Sequence, residues 1–276
     1  MFMDGINNST TIINGKQNGP TVAIFAGVHG NEKVGLFVID YLKKSLKLKK
    51  GTVNLVIANF PAVEKNVRQI NKNLNRNIFY HNKILSYEDS LANDLIRILD
   101  TSDALLDLHS FNEENNDPFI ICEPNSNEIA LKLGFKYIVN GMNNISPGST
   151  DGYMYKNNKI GICLELGSSN NYREYIELGI KTVFQFLKQF DLIDETEQIF
   201  SKKSQILNVY SIYKRRGNNF NFIKPLKTFD YLEEGFVFAT DDKVLLKVEK
   251  ANSYILFPRQ NNPIGVEAFA LAEKLM

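Results

Sequence analysis

The sequence predicts an α/β protein, with a central sheet flanked by helices and a small β domain after it. Through the first two thirds of the chain, apolar β-branched runs alternate with segments whose apolar residues recur at helical spacing. A sheet with helices packed on its faces buries both kinds of element. After about Ser201, short strand-like runs replace the helical spacing. We therefore predict an α/β domain over residues 1–200 and a small β domain over residues 201–276.

Each element of the larger domain is predicted from its own pattern of apolar and turn residues. Five apolar runs predict strands, at 21–28, 52–59, 104–108, 119–122 and 160–166. Apolar stripes predict one helix over 33–48 and a long one whose buried side includes residues 176–187. Ser86 with Asp89 resembles a helix start, and Leu91, Leu95, Ile98 and Leu99 mark the buried side of that helix.

The C-terminal region shows a different pattern. Strands are expected at 236–240, 243–249 and 253–257, and the Thr240-Asp241-Asp242 step predicts a tight hairpin between the first two. A helix-like pattern returns only in the last few residues.

Composition excludes several classes of partner. Of the 276 residues, 43% are hydrophobic and 23% are charged, and the formal net charge is +1, so no global field favours nucleic acid or an anionic membrane. No signal peptide and no apolar run of roughly 20 residues is visible. Cys122 and Cys163 lie in apolar runs and are interpreted as buried small side chains, not as a disulfide. We expect a cytoplasmic protein and leave open whether it forms a homo-oligomer.

Two of the three histidines directly follow predicted strands. His29 lies after the first strand and His109 after the third, and ligands of α/β sheets bind beyond the carboxyl ends of strands. Glu32, three residues after His29, shares its loop, where Gly27 and Gly30 suit a tight turn. Two imidazoles and one carboxylate leave a coordination position open, which is typical of catalytic zinc. We therefore predict one Zn²⁺ per chain on these three residues.

Two further acids lie near the predicted metal site. Glu165 interrupts an apolar strand, and a buried carboxylate needs a cation or a hydrogen-bond partner. Beside a metal it could accept a proton from water; the alternative is a structural ion pair. Asp107, two residues before His109, could orient a ligand imidazole or could merely cap a loop.

A polar loop at 67–76 supplies two arginines. Arg68 and Arg76 could pair a carboxylate or stabilise a developing oxyanion, although such a segment is also typical of a solvated loop. His81 follows this loop without a spaced partner and is left unassigned.

These segments together resemble the succinylglutamate desuccinylase and aspartoacylase family, a branch of the zinc carboxypeptidase clan. The resemblance spans essentially the whole chain, and its order and approximate spacing match in four stretches: His29-Gly30-Asn31-Glu32, Arg68 with Asn75-Arg76, Asp107-Leu108-His109, and Leu164-Glu165-Leu166-Gly167.

The resemblance implies a zinc-carboxypeptidase-like mixed sheet, with the β domain capping the site. It also implies that water activated by zinc attacks the amide of an N-acyl amino acid, with Glu165 as general acid/base. Arg68 would polarise the scissile carbonyl. Asn75 and Arg76 would hold the free α-carboxylate of this small-molecule substrate.

The acyl group of the substrate stays open. Aspartoacylases proper carry an arginine about ten residues before the catalytic Glu, where this sequence has Tyr155, and their C-terminal substrate tyrosine has no clear counterpart near 267–270. Arg173 could bind a second carboxylate or could lie on a helix surface. Two alternatives remain beside the deacylase: a carboxypeptidase-like peptidase acting on short peptides, and a non-catalytic zinc- or ligand-binding protein.

Overall fold

The computed structural model describes residues 10–111, 117–168, 172–194 and 203–275. Two compact units divide the chain. The first contains Met1–Ile138 and Pro147–Ser204, and the second contains Val139–Ser146 and Gln205–Met276. No helix among the described residues is both long enough and apolar enough to cross a bilayer.

The first unit is built on a mixed sheet. Its strands are β1 (Thr10–Asn14), β2 (Gln17–Ala26), β3 (Lys50–Ile57), β4 (Ala104–Phe111), β5 (Phe119–Cys122), β6 (Tyr137–Asn140) and β7 (Ile160–Ser168), with the boundary between the units falling inside β6. The order β1-β3-β2-β4-β7-β5 combines parallel pairs of β2 with β3 and β4, and of β4 with β7, with antiparallel pairs at β1–β3 and β5–β7. The predicted mixed α/β sheet is therefore confirmed.

Helices connect the strands. They are α1 (Val34–Ser45), α2 (Phe60–Glu64), α3 (Tyr87–Thr101), α4 (Asn127–Lys132), α5 (Met142–Ile145), α6 (Thr150–Lys156) and α7 (Tyr172–Gln189), with 3₁₀ turns at Leu74–Arg76 and Pro124–Ser126. The predicted start of α3 is confirmed, because Ser86 and Asp89 cap each other's backbone N–H groups. Leu91, Leu95 and Leu99 of this helix are buried against Phe25 of β2.

All eight residues of β4 are buried. Strands covered on both faces read as continuous apolar runs, and this explains why the sequence located β4 and β5 without any alternation of polar residues. The carboxyl end of β4 is therefore a buried edge at which polar side chains need specific partners. Cys122 and Cys163 are both buried, as expected, and they do not form a disulfide.

The second unit contains two antiparallel groups of strands. Its own strands are β8 (Gln205–Lys214), β9 (Phe220–Phe222), β10 (Tyr231–Leu232), β11 (Val237–Asp241), β12 (Val244–Lys247), β13 (Ser253–Leu256) and β14 (Glu267–Lys274). One group has the order β8-β14-β13-β10 and the other has the order β12-β11-β9. The predicted hairpin is confirmed, since Asp241 pairs with Val244 across a turn in which Asp242 has φ +50°.

The helix-like pattern in the last few residues did not correspond to a helix. Residues 267–274 form β14, which pairs with β13 on one side and β8 on the other. A strand that is buried on both faces carries an uninterrupted apolar run, and such a run cannot be distinguished from a buried helix by periodicity.

Candidate active site

The turn after β2 brings His29 and Glu32 together. Gly27 adopts φ +67°, and the backbone N–H of Glu32 donates to the carbonyl oxygen of His29 at 3.2 Å. A Cβ on Gly30 would lie 2.1 Å from the carbonyl carbon of Ala62, so a side chain at this position is excluded. This turn places Nδ1 of His29 2.8 Å from Oε1 of Glu32.

His109 reaches the same carboxylate from the neighbouring strand. Because β2 and β4 are adjacent and parallel, their carboxyl ends meet at one edge of the sheet. Nδ1 of His109 lies 2.9 Å from Oε2 of Glu32, and the backbone N–H of Ser110 donates to the same oxygen at 3.2 Å. His29, Glu32 and His109 are all buried, and each offers a ligand atom within 4.8 Å of the others. The three predicted ligands are thus brought together.

The outer nitrogens of both imidazoles have partners that can only accept. Nε2 of His29 lies 3.0 Å from Oδ1 of Asn73, an oxygen that also accepts the backbone N–H of Asn75 and is thereby identified as the carbonyl oxygen. Nε2 of His109 lies 3.0 Å from Oδ2 of Asp107. Both Nε2 atoms must therefore carry the proton and donate it.

A cation between the inner nitrogens fits this arrangement. A neutral imidazole that is protonated on Nε2 has a lone pair on Nδ1, and both Nδ1 atoms lie at hydrogen-bond distance from a carboxylate oxygen of Glu32. Lone pairs facing one another repel unless a proton or a metal ion lies between them. Two imidazole nitrogens and one carboxylate are a donor set that suits Zn²⁺. The chain therefore has a candidate metal-binding triad.

Charges around the triad keep Glu32 ionised. Burial alone raises the pKa of Glu32, but His29 and His109 together hold it well below its usual range. Burial lowers the pKa of His29. For His109, burial acts in the same direction but is outweighed, chiefly by the carboxylate of Asp107, so that its pKa is raised. Asp107 thus acts on His109 both by accepting its Nε2 proton and by its charge.

Glu165 lies beside the triad on β7. In the parallel pairing of β4 with β7, Glu165 is the register partner of His109. His109, Cys163 and Glu165 form a second group whose ligand atoms lie within 4.8 Å of one another. Burial raises the pKa of the Cys163 thiol, which keeps it protonated, and both ring nitrogens of His109 are already engaged. The triad with Glu32 is therefore the better metal site, and Glu165 lies next to it as a carboxylate.

The loop at 67–76, called the substrate loop below, carries the two arginines and the asparagine that were predicted to contact the substrate. Arg68 donates from Nη1 to Oε1 of Glu32 at 3.1 Å while 39% of its side chain stays exposed. Asn75 is buried, and its Oδ1 accepts the backbone N–H of Thr150 at 3.1 Å, which leaves the amide NH₂ as a donor on its other side. Arg76 ends the 3₁₀ turn and donates to the carbonyl oxygen of Asn75 at 2.7 Å.

Asp89 fastens this loop to the start of α3. It accepts from Nζ of Lys72 at 2.8 Å and from Nδ2 of Asn77 at 3.0 Å, in addition to its capping bonds. The hydrogen bond from Lys72 is the main cause that lowers the pKa of Asp89. The loop is thereby tied down at several points between Arg68 and Asn77.

Three other residues singled out in the sequence make no hydrogen bond to the triad among the described residues. His81 donates from Nε2 to the carbonyl oxygen of Asn77 at 3.1 Å and is held by Asn93. Tyr155 lies on α6 and is half-buried, and Arg173 is exposed near the start of α7. The surface alternative for Arg173 is therefore the one observed.

Sequence reasoning missed two residues that contact the site. Asn73, in the loop at 67–76, accepts a hydrogen bond from Nε2 of His29, and the hydroxyl of Thr150 donates to Oδ2 of Asp107 at 2.6 Å. The only available signal for Thr150 was its position one residue after Ser149, the N-cap of a short helix.

Comparison with known proteins identifies the family of this chain. The model of the succinylglutamate desuccinylase/aspartoacylase catalytic domain matches residues 18–189, which is more than half of the chain. This chain belongs to that family. Aspartoacylase of Xenopus tropicalis is 32% identical over 136 residues, which are 44% of this chain and 43% of that relative. The match thus spans less than half the length of the curated relative.

Two solved structures share the fold of this chain. Succinylglutamate desuccinylase from Vibrio cholerae superposes with a TM-score of 0.79 at 18% identity, covering 96% of this chain and 85% of that one. The product-bound ectoine utilization protein EutE (DoeB) from Ruegeria pomeroyi gives a TM-score of 0.76 at 18% identity, covering 96% and 88%. At this identity the likeness establishes the fold, and the family membership follows from the catalytic-domain match.

Proposed function

We propose that the chain is a zinc-dependent amidohydrolase that cleaves the amide bond of an N-acyl amino acid. One observation carries the proposal: His29 and His109 place their Nδ1 atoms 2.8 and 2.9 Å from the two oxygens of the buried Glu32 carboxylate. Membership in the desuccinylase and aspartoacylase family supports deacylation as the reaction.

His29, Glu32 and His109 would hold the metal through Nδ1, the carboxylate and Nδ1. When bound by such a set, Zn²⁺ polarises a carbonyl oxygen and makes a water molecule acidic enough to supply a nucleophile near pH 7. Metal binding through Nδ1 requires the tautomer with the proton on Nε2. Asn73 and Asp107 favour this tautomer in His29 and His109, because each accepts a hydrogen bond from an Nε2 atom.

Glu165 is proposed as the general acid/base. Its register partner is His109, so the backbones of the two residues lie one strand spacing apart, about 4.8 Å. A carboxylate oxygen of Glu165 lies within 4.8 Å of a ring nitrogen of His109. It accepts a proton from the attacking water and donates that proton to the nitrogen of the leaving amine, so the two products are the free acid and the free amino acid. Cys163 keeps its proton because of burial and takes no part.

Arg68, Asn75 and Arg76 are proposed to bind the substrate. The guanidinium of Arg68 contacts Glu32 and is partly exposed, so it can reach the oxygen of a carbonyl beside the metal and stabilise the charge that develops there. Asn75 has its amide orientation fixed by Thr150, and together with the guanidinium of Arg76 it offers donors for the α-carboxylate of an N-acyl amino acid. The acyl side has no assigned cation.

The first experiment is a hydrolysis screen on purified protein with metal analysis of the same sample. The expected result is about one zinc ion per chain and turnover of at least one N-acyl amino acid. Dipeptides with the same C-terminal residues distinguish the deacylase from the carboxypeptidase alternative, which predicts that dipeptides are cleaved faster than N-acyl amino acids. Protein that holds zinc and hydrolyses neither class would overturn the proposed activity and favour a binding protein. The proposed setting is the cytoplasm, where two free thiols stay reduced.

A further inference from the structure

A closed ring of hydrogen bonds and short polar contacts connects the metal triad with the proposed substrate loop. From Asn75 it runs through Asn73 to His29, across Glu32 to His109, and from there to Asp107. Thr150 closes the ring, because it contacts both Asp107 and Asn75. Every link within the ring is between 2.6 and 3.1 Å.

Thr150 makes its two contacts with different groups. The hydroxyl donates to Oδ2 of Asp107 at 2.6 Å, and the backbone N–H donates to Oδ1 of Asn75 at 3.1 Å. The residue is fully buried and is the first residue of α6, preceded by the N-cap Ser149. Its side chain therefore acts on the metal side of the ring and its backbone acts on the substrate side.

Asp107 depends strongly on this hydroxyl. The carboxylate is fully buried, and its Oδ1 has no hydrogen-bond partner among the described residues. Oδ2 receives two donors, Nε2 of His109 and the hydroxyl of Thr150. Loss of one of two donors on a buried carboxylate leaves the aspartate freer to rotate away from the imidazole.

We propose that Thr150 is a positioning residue that couples the metal site to the carboxylate clamp, which is the pair of residues Asn75 and Arg76 proposed to bind the α-carboxylate of the substrate. This inference rests on the proposed function. Its hydroxyl fixes Asp107, which fixes the ring of His109, and its N–H fixes the amide of Asn75. One residue thereby sets the orientation of a metal ligand and of a substrate donor at the same time.

The two contacts can be separated by substitution. Thr150→Val keeps the branched shape and the N–H but removes the hydroxyl, so it breaks only the link to Asp107. Thr150→Pro removes both donors, and proline is accepted at the first position of a helix and after an extended residue such as Ser149, whose ψ is 162°. Thr150→Ser keeps both donors. Thr182→Val is the matched control, since Thr182 is equally buried and its hydroxyl, among the described residues, donates to the helix carbonyl of Leu178.

The measurements are the affinity for Zn²⁺, by competition with a chelator, and the steady-state constants on the best N-acyl amino acid of the screen. Thr150→Val is expected to weaken zinc binding about 10- to 100-fold with KM nearly unchanged, and excess zinc should restore its turnover. Thr150→Pro should in addition raise KM. Thr150→Ser and Thr182→Val should behave like the unmodified protein.

Failure of this inference can be distinguished from failure of the proposed function. Unchanged zinc affinity in Thr150→Val, with an unmodified protein that binds zinc and hydrolyses substrate, overturns the inference alone. Zinc binding without hydrolysis in the unmodified protein overturns the function, while the affinities of the variants still decide the role of the hydroxyl. An unmodified protein that holds no zinc overturns both. If Thr150→Pro does not fold, Thr150→Val still tests the link to Asp107.

Discussion

Both carboxylate oxygens of Glu88 accept a hydrogen bond from the backbone N–H of Asn71, at 3.2 and 3.1 Å. The same buried carboxylate accepts the N–H of Ile70 at 2.8 Å and that of Lys72 at 3.2 Å. Three consecutive N–H groups between Arg68 and Asn73 therefore depend on one side chain. The loop that carries the proposed substrate residues is held by the first turn of α3.

Substitution of Glu88 by Gln is expected to destabilise the protein by about 1–3 kcal/mol. An amide has only one acceptor oxygen, so some of the buried N–H groups would lose their partner. The free energy of unfolding in urea measures this effect. The exposed Glu128, whose ion-pair partner among the described residues is Lys132, supplies the matched control Glu128→Gln, which is expected to leave stability nearly unchanged. Equal stability of the two variants would contradict the anchoring role of Glu88.

Asp89 should make stability depend on pH in the acid range. Its pKa is lowered in the folded protein, chiefly by Lys72, so the ionised form is favoured by folding. Its contribution is therefore fully present above the unfolded pKa of about 4 and is lost as pH falls toward the folded pKa. The difference in unfolding free energy between the unmodified protein and Asp89→Asn should shrink between pH 6 and about pH 2. The exposed Asp40→Asn is the control, and a difference for Asp89→Asn that does not vary with pH would refute the linkage.

Replacement of His109 by Ala should release the metal. It removes one of the two imidazoles facing Glu32, and the remaining His29 and Glu32 form an incomplete set. Metal content after dialysis, measured by elemental analysis, is expected to fall from about one ion per chain to a small fraction. His81→Ala is the control, because His81 contacts Asn77 and Asn93 and should leave the metal content unchanged. Equal zinc content in both variants would remove His109 from the ligand set.

Replacement of Glu165 by Gln should separate binding from chemistry. The variant is expected to keep its metal and to lose turnover by about a hundredfold or more, because an amide can neither accept nor deliver the proton. Metal content and kcat are measured on the same preparation. Retained turnover would exclude Glu165 as the acid/base, and lost metal would instead indicate that it supports the triad.

The carboxylate clamp can be tested with a pair of substrates. Asn75→Ala and Arg76→Ala should each raise KM for an N-acyl amino acid, since each removes a donor to the α-carboxylate. For the corresponding α-amide, which lacks the charge, Arg76→Ala should change KM much less. Arg97→Ala is the control, because Arg97 pairs with Asp94 on the exposed side of α3. Equal effects of Arg76→Ala on both substrates would argue against charge recognition.

Much of the site could be predicted because its chemistry is local or follows sheet topology. The His29–Glu32 pair is three residues apart in one turn, and the Ser86–Asp89 cap is equally local. His109 joins them because adjacent parallel strands end at one edge. These relations need only the pattern of strands and the positions of polar residues after them.

The remaining contacts depend on the path of loops, which carries no periodic signal. Asn73 lies among several similar asparagines, and Glu88 reads as an ordinary acid in the first turn of a helix. Thr150 reaches Asp107 from 43 residues away in sequence. In the second unit, β8 and β14 pair with each other across more than fifty residues, and no local pattern indicates this contact.

The register of His109 opposite Glu165 separates two properties of this protein. The spacing between the ligand and the proposed proton carrier is set by backbone pairing of β4 with β7, whereas the residues proposed to choose the substrate lie on loops. Those loops can be lengthened or rebuilt without altering the distance over which a proton moves. Evolution, or an engineer, can therefore change which substrate is bound while the proposed reaction stays the same.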